Sequence, residues 1–174
     1  MTRLRRIADR DRIFFITTNV ARTASPLTPA ERDLLLDRLQ RQHDRRDFLL
    51  FAYVVMPDHV HLLISPQRRG LSATMHEFKR MTAEKLLKLR GNRGSLWQAR
   101  YFDFILRRVG DFWEKLEYIH QNPVEAKIAD RPEEWRWSSA SHYAGSGEPL
   151  VPVDEVNLPA DKKSWLYPAP WRTV

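Results

Sequence analysis

The sequence predicts a mixed α+β fold: one antiparallel sheet backed by helices, in the order β-α-β-β-α-β, with a further helix after the last strand. Three observations lead there. Four runs are rich in β-branched and aromatic residues. Two segments with apolar residues at helical spacing separate the first run from the second and the third from the fourth. Between the second and third runs stands only Pro57-Asp58, which is turn chemistry, so those two runs form a hairpin.

Residues 13–20, IFFITTNV, form the first strand. After the loop ARTASPLTP, Thr28 is a helix N-cap, with Pro29 in the first helical position and Glu31 completing a capping box. Leu34, Leu35, Leu36 and Leu39 give a helical stripe to about Gln42. Residues 48–56 make a buried strand and 59–65 its hairpin partner. Over 71–90, Leu71, Met75, Phe78, Met81, Leu86 and Leu89 recur at helical spacing with basic residues between them, and Gly91-Asn92-Arg93-Gly94 ends the helix. Residues 101–108, YFDFILRR, read as the fourth strand. Asp111 caps a last helix, which Asn122-Pro123 stops at about Gln121. The first six elements match the ferredoxin-like arrangement, with the helices on one face of the sheet. Residues 1–130 are expected to form one domain. Residues 131–174, rich in Trp, Pro, Ser and Gly, are expected to form an irregular tail packed on it.

The 174 residues suit one compact domain, and an apolar share of 43% supplies a core. Cysteine is absent, which excludes disulfides, thiolate nucleophiles and cysteine-based zinc or iron–sulfur sites. The longest apolar run, 48–56, has nine residues, where a bilayer span needs about 20. The N-terminal MTRLRRIADRDR lacks the apolar core of a secretory signal, so a cytoplasmic location is expected, with no membrane partner.

Lys and Arg number 29 against 22 Asp and Glu, and the surplus of +7 suits a polyanionic partner, nucleic acid before acidic membrane. The surplus is concentrated: residues 79–108 hold nine basic and two acidic side chains. Either this is a solvated charged face, or Lys79, Arg80, Lys85, Arg100, Arg107 and Arg108 contact phosphates and release condensed counterions. Arg3, Arg5 and Arg6 form a second cluster, a DNA-contacting arm or a frayed terminus. Trp97 and Tyr101 either stack on unpaired bases or belong to the core.

His59-Val60-His61 lies on a predicted strand, where side chains alternate, so both imidazoles share a face. Two imidazoles can ligate one divalent cation but need a third ligand. The last helix, within LEYIHQNPVEA, offers the carbonyl oxygen of Asn122, and Tyr118 sits four residues before it on the same helix face. The Tyr118 hydroxyl is a candidate to attack phosphorus. His120 points elsewhere. Asp58 is expected to face away from the two histidines, which leaves no carboxylate as third ligand.

VVMPDHVHLLI followed by YIHQNPVEA resembles the single-tyrosine HUH transposases. LWQARYFDFILR and WRWSSASHY are similar to the branch called REP-associated tyrosine transposases, and the resemblance runs from about Ile13 to Tyr143. It implies an HUH-transposase type of fold and a metal-dependent DNA endonuclease and strand transferase. Such an enzyme cleaves single-stranded DNA through a 5′-phosphotyrosine, at palindromic hairpins. On this resemblance Tyr118 is the catalytic nucleophile, and His59, His61 and Asn122 are the metal ligands. Lys79 matches a basic position of the second helix, while Trp97, Gln98 and Asp103 match the linking motif. Phe104 departs from the pattern, which often has histidine there.

The implied cofactor is Mg²⁺ or Mn²⁺. No nucleotide is expected, since GNRG lacks the spacing and lysine of a phosphate-binding loop. The implied partner is single-stranded or hairpin DNA, with a monomer favoured over the swapped dimers of some relatives. Two other functions compete: a non-catalytic nucleic-acid-binding module on the same scaffold, and a zinc hydrolase built on the histidine pair.

Overall fold

The structure is a computed structural model that describes residues 12–167. Four strands, β1 (Phe14–Asn19), β2 (Phe48–Val55), β3 (His59–Pro66) and β4 (Phe102–Ile105), form one antiparallel sheet in the order β2-β3-β1-β4. With α1 (Pro29–Asp44) after β1 and α2 (Leu71–Leu89) after β3, this is the ferredoxin-like topology. A third helix, α3 (Val109–Glu125), follows β4.

Local chemistry explains the ends of the elements. The Thr28 hydroxyl accepts from the Glu31 N–H at 3.3 Å, and the Glu31 carboxylate accepts from the Thr28 N–H at 2.8 Å. These two bonds satisfy orphan donors at the start of α1. Gly91, at φ 60°, closes α2 in the left-handed region where glycine meets no steric cost.

Strands β1, β2 and β3 are buried on both faces, whereas β4 is largely exposed. Phe14, Ile16, Leu62 and Ile64 face α1 and α2, packed among Leu35, Leu39, Met75 and Phe78. Phe15, Leu63 and Val54 face the other way, against Phe112, Leu116 and Ile119 of α3. Helices therefore cover both faces, and the one-face expectation holds for α1 and α2 only. A bulge between Leu50 and Ala52 shifts the alternation of β2, so that the neighbours Phe51 and Ala52 both join the core on the α3 side.

Two boundaries differ from expectation. The fourth strand stops at Ile105 instead of 108, because the N–H groups of Arg107 and Arg108 donate to Asp111 Oδ2, each at 2.8 Å. Arg108 is thereby the N-cap and Asp111 the third helical residue. Pro123 does not stop α3 at 121; it sits inside the last turn, where only one ladder bond is lost. Lys127, at φ 57°, ends the helix, and its N–H reaches the Val124 carbonyl at 2.9 Å.

Residues 131–167 hold a 3-10 turn (Pro132–Glu134) and a short helix, α4 (Ala140–Ala144). They cover the outer edge of β2: the Val55 N–H donates to the Trp137 carbonyl and the Ser139 N–H to the Tyr53 carbonyl. Asp154 accepts from the Leu50 N–H and bonds the His43 ring at 2.7 Å. Among the described residues, no helix is long and apolar enough to cross a membrane.

Candidate active site

β3 presents His59 and His61 on the α3 side of the sheet, as strand parity requires. The pairing of β1 with β3 sets Thr17 opposite His61 and Asn19 opposite His59. From α3, Tyr118 and Asn122 reach the same place, and together these side chains line an open cleft of about 380 Å³.

The hydrogen bonds orient each group. His61 Nδ1 meets the Thr17 hydroxyl at 2.9 Å, and His59 Nδ1 meets the Asp58 carboxylate at 2.7 Å. Each ring thus has its Nδ1 held from behind and its Nε2 turned toward the helix, the usual arrangement of a metal-binding histidine. Both Nε2 atoms converge on the Asn122 amide: Oδ1 lies 2.9 Å from His59 and Nδ2 donates to His61 at 3.3 Å. The imidazole rings stand 4.6 Å apart. Burial, reinforced by the neighbouring His59, pushes the His61 imidazole down to about 3, so the ring is neutral at pH 7. Two imidazole nitrogens and an amide oxygen, gathered at one end of the cleft, are a donor set that fits a divalent cation. Among the described residues no cluster of three His, Cys, Asp or Glu side chains does so, and the amide supplies what such a cluster lacks.

Tyr118 stands beside this centre. Its ring meets His61 edge-on at 5.2 Å and Phe15 at 5.7 Å, while 43% of the residue is exposed. A satisfied structural tyrosine looks different: Tyr53 is fully buried, with its hydroxyl accepting from the Val151 N–H. His120 does point elsewhere, into the core, where it meets the Ser139 hydroxyl at 2.9 Å.

The family model of IS200-like transposases matches residues 15–122, from β1 to the Asn122 amide. The chain belongs to that family. The REP-associated tyrosine transposase of Escherichia coli is 24% identical over 157 residues, covering 88% of this chain and 90% of that protein. A solved structure of a REP-associated tyrosine transposase bound to a REP hairpin superposes with a TM-score of 0.68 at 22% identity, covering 94% of this chain and 98% of that one. The resemblance read from the separated motifs is borne out, and so is the fold.

The basic and aromatic positions of this transposase fare unequally. Lys79, Arg80 and Tyr101 line a broad groove of about 780 Å³ between α2 and the loop over 93–101. Lys79 is committed to that loop: its ammonium donates to the Gln98 and Ala99 carbonyls at 2.7 and 3.1 Å, and burial lowers its pKa. Arg80 pairs with Glu84 one turn on. Lys85, Arg100 and Arg107 are exposed. Arg108 is engaged by the C-terminal stretch, donating to the Lys163 carbonyl at 2.8 Å and lying over the Trp165 ring. Trp97 is corrected: it is 4% exposed, donates to the Thr82 hydroxyl and packs beside Phe78, so it presents no face to a base. Arg3, Arg5 and Arg6 lie outside the described residues.

Asp58 is a second correction, since it turns back onto His59 instead of facing away. Sequence reasoning also missed Thr17, Asn19 and Glu125. For Glu125 a signal existed, because it stands three residues after Asn122 on the face already identified.

Proposed function

We propose that this family member is a metal-dependent tyrosine transposase that cleaves single-stranded DNA at hairpin elements and passes the strand on through a 5′-phosphotyrosine. One observation carries the reading: the two Nε2 atoms and the Asn122 amide converge next to an exposed phenol. The hairpin-bound relative supports hairpin DNA of the REP type as substrate.

In this reading Tyr118 Oη attacks phosphorus, the bond from phosphorus to the 3′ oxygen breaks, and a free 3′-hydroxyl leaves. Attack by another 3′-hydroxyl on the phosphotyrosine restores the phenol and reseals the strand, so no nucleotide is consumed. His59, His61 and Asn122 Oδ1 would hold Mg²⁺ or Mn²⁺, while Thr17 and Asp58 fix the ring orientations. The bound ion would supply charge stabilisation at the scissile phosphate. Helix α3 fixes the phenol relative to the amide, so positioning, the main requirement of phosphoryl transfer, is built into the fold. Arg80, Lys85, Arg100 and Arg107 are left to meet the DNA backbone.

The test is incubation of a hairpin oligonucleotide carrying single-stranded flanks with protein and Mn²⁺, followed by a denaturing gel. The parent protein forms a covalent adduct. Tyr118→Phe binds DNA and Mn²⁺ but forms none, and His59→Ala or His61→Ala loses the adduct while keeping most DNA binding. A crosslink formed by Tyr118→Phe overturns the assignment.

A further inference from the structure

β4 is the outermost strand next to β1. Its alternate residues Phe102 and Phe104 stand opposite Thr17 and Phe15, so they share the sheet face that carries His61 and meets α3. Both are large and apolar, yet Phe102 is 57% and Phe104 40% exposed. Singly exposed apolar residues are ordinary. These two are continuous with the candidate nucleophile. The Phe102 ring meets Phe15 at 6.4 Å, and Phe15 meets Tyr118 at 5.7 Å. The Lys115 ammonium lies 5.5 Å from the ring centres of both Phe15 and Phe104. Lys115 precedes Tyr118 by three residues on one face of α3. An aromatic surface with a cation on it thus runs from the sheet edge to the phenol.

We propose that Phe102 and Phe104 form a stacking shelf for the unpaired bases adjoining the cleaved phosphodiester, with Lys115 meeting the backbone phosphate between them. The proposal deepens the preceding reading and rests on Tyr118 being the nucleophile. Charge and continuity select the occupant. A second copy of this chain would bring its own Lys115 and its own +7 surplus to the patch, whereas a single strand brings phosphates and bare base faces. A duplex keeps its base faces stacked on one another and has none to offer. The surface pair of Lys115 with the exposed Glu114 is weak and yields to phosphate.

Binding is measured in the Tyr118→Phe background with EDTA, so that no chemistry intervenes. The probes are a fluorescein-labelled oligothymidylate and the same backbone made abasic. Phe102→Ala and Phe104→Ala each weaken oligothymidylate binding about fivefold or more and leave abasic binding unchanged. Phe104→Tyr restores the loss. Lys115→Gln weakens both probes and lowers the salt dependence. Unchanged oligothymidylate affinity, or an equal loss on both probes, overturns the shelf. So does a change of oligomeric state in the phenylalanine variants without a change in DNA affinity. The adduct assay on the parent protein separates the two claims: an adduct together with unaffected phenylalanine variants sinks the shelf alone, and a stacking loss without an adduct leaves a base-stacking surface but overturns the nuclease and, with it, the shelf's place beside a cleaved bond.

Discussion

Thr17 shows how much one hydroxyl can decide. It holds His61 Nδ1 at 2.9 Å and so helps determine which ring nitrogen faces the cleft. Thr17→Val keeps the shape and removes the partner. Calorimetric titration with Mn²⁺ should show affinity falling about 10–100-fold, with the fold intact by circular dichroism. The parity of His59 and His61 and the four-residue step from Tyr118 to Asn122 were legible in the sequence, because both follow from local geometry. Thr17 and Asn19 were not. Nothing near them in the chain marks them, and only the register of β1 on β3 brings them to the histidines.

At the scale of the element, strands and helices were legible because their periods of 2 and 3.6 are written locally, and the boundaries were lost where tertiary contacts intervene. Arg107 and Arg108 have strand-like neighbours, but their N–H groups are captured by Asp111. Trp97 reads as a loop aromatic, but Thr82 on α2 takes its indole N–H. Trp97→Ala should therefore lower stability by about 3–5 kcal/mol in urea unfolding, a loss that removing a stacking residue would not cause. The start of α1 is tied to the end of α2: Arg90 donates to both Glu31 carboxylate oxygens, at 2.6 and 2.8 Å, and holds that carboxyl below the usual glutamate range. A depressed carboxyl stabilises the fold above its ordinary pKa of about 4.3 and loses that contribution as pH falls through its folded value. Thermal melts across acid pH should show Glu31→Gln less stable than the parent at neutral pH and less sensitive to further acidification.

Over the whole molecule, both histidines, the phenol and the amide come from one chain, so a single copy contains every proposed reacting group. Mixing His59→Ala with Tyr118→Phe should then restore no adduct on a denaturing gel, whereas subunits that exchanged α3 would complement each other. The placement of the cleft has a mechanical consequence. Its strand residues sit on β1 and β3, the two inner strands, each with a hydrogen-bonded neighbour on either side and a core on both faces. Strands held in this way open late, so hydrogen exchange should find slow amides on β1 and β3 beneath the cleft. Under the proposed reading the strand side of the cleft is held in place by this sheet, and the bending, unpairing and swivelling that strand exchange demands fall to the nucleic acid.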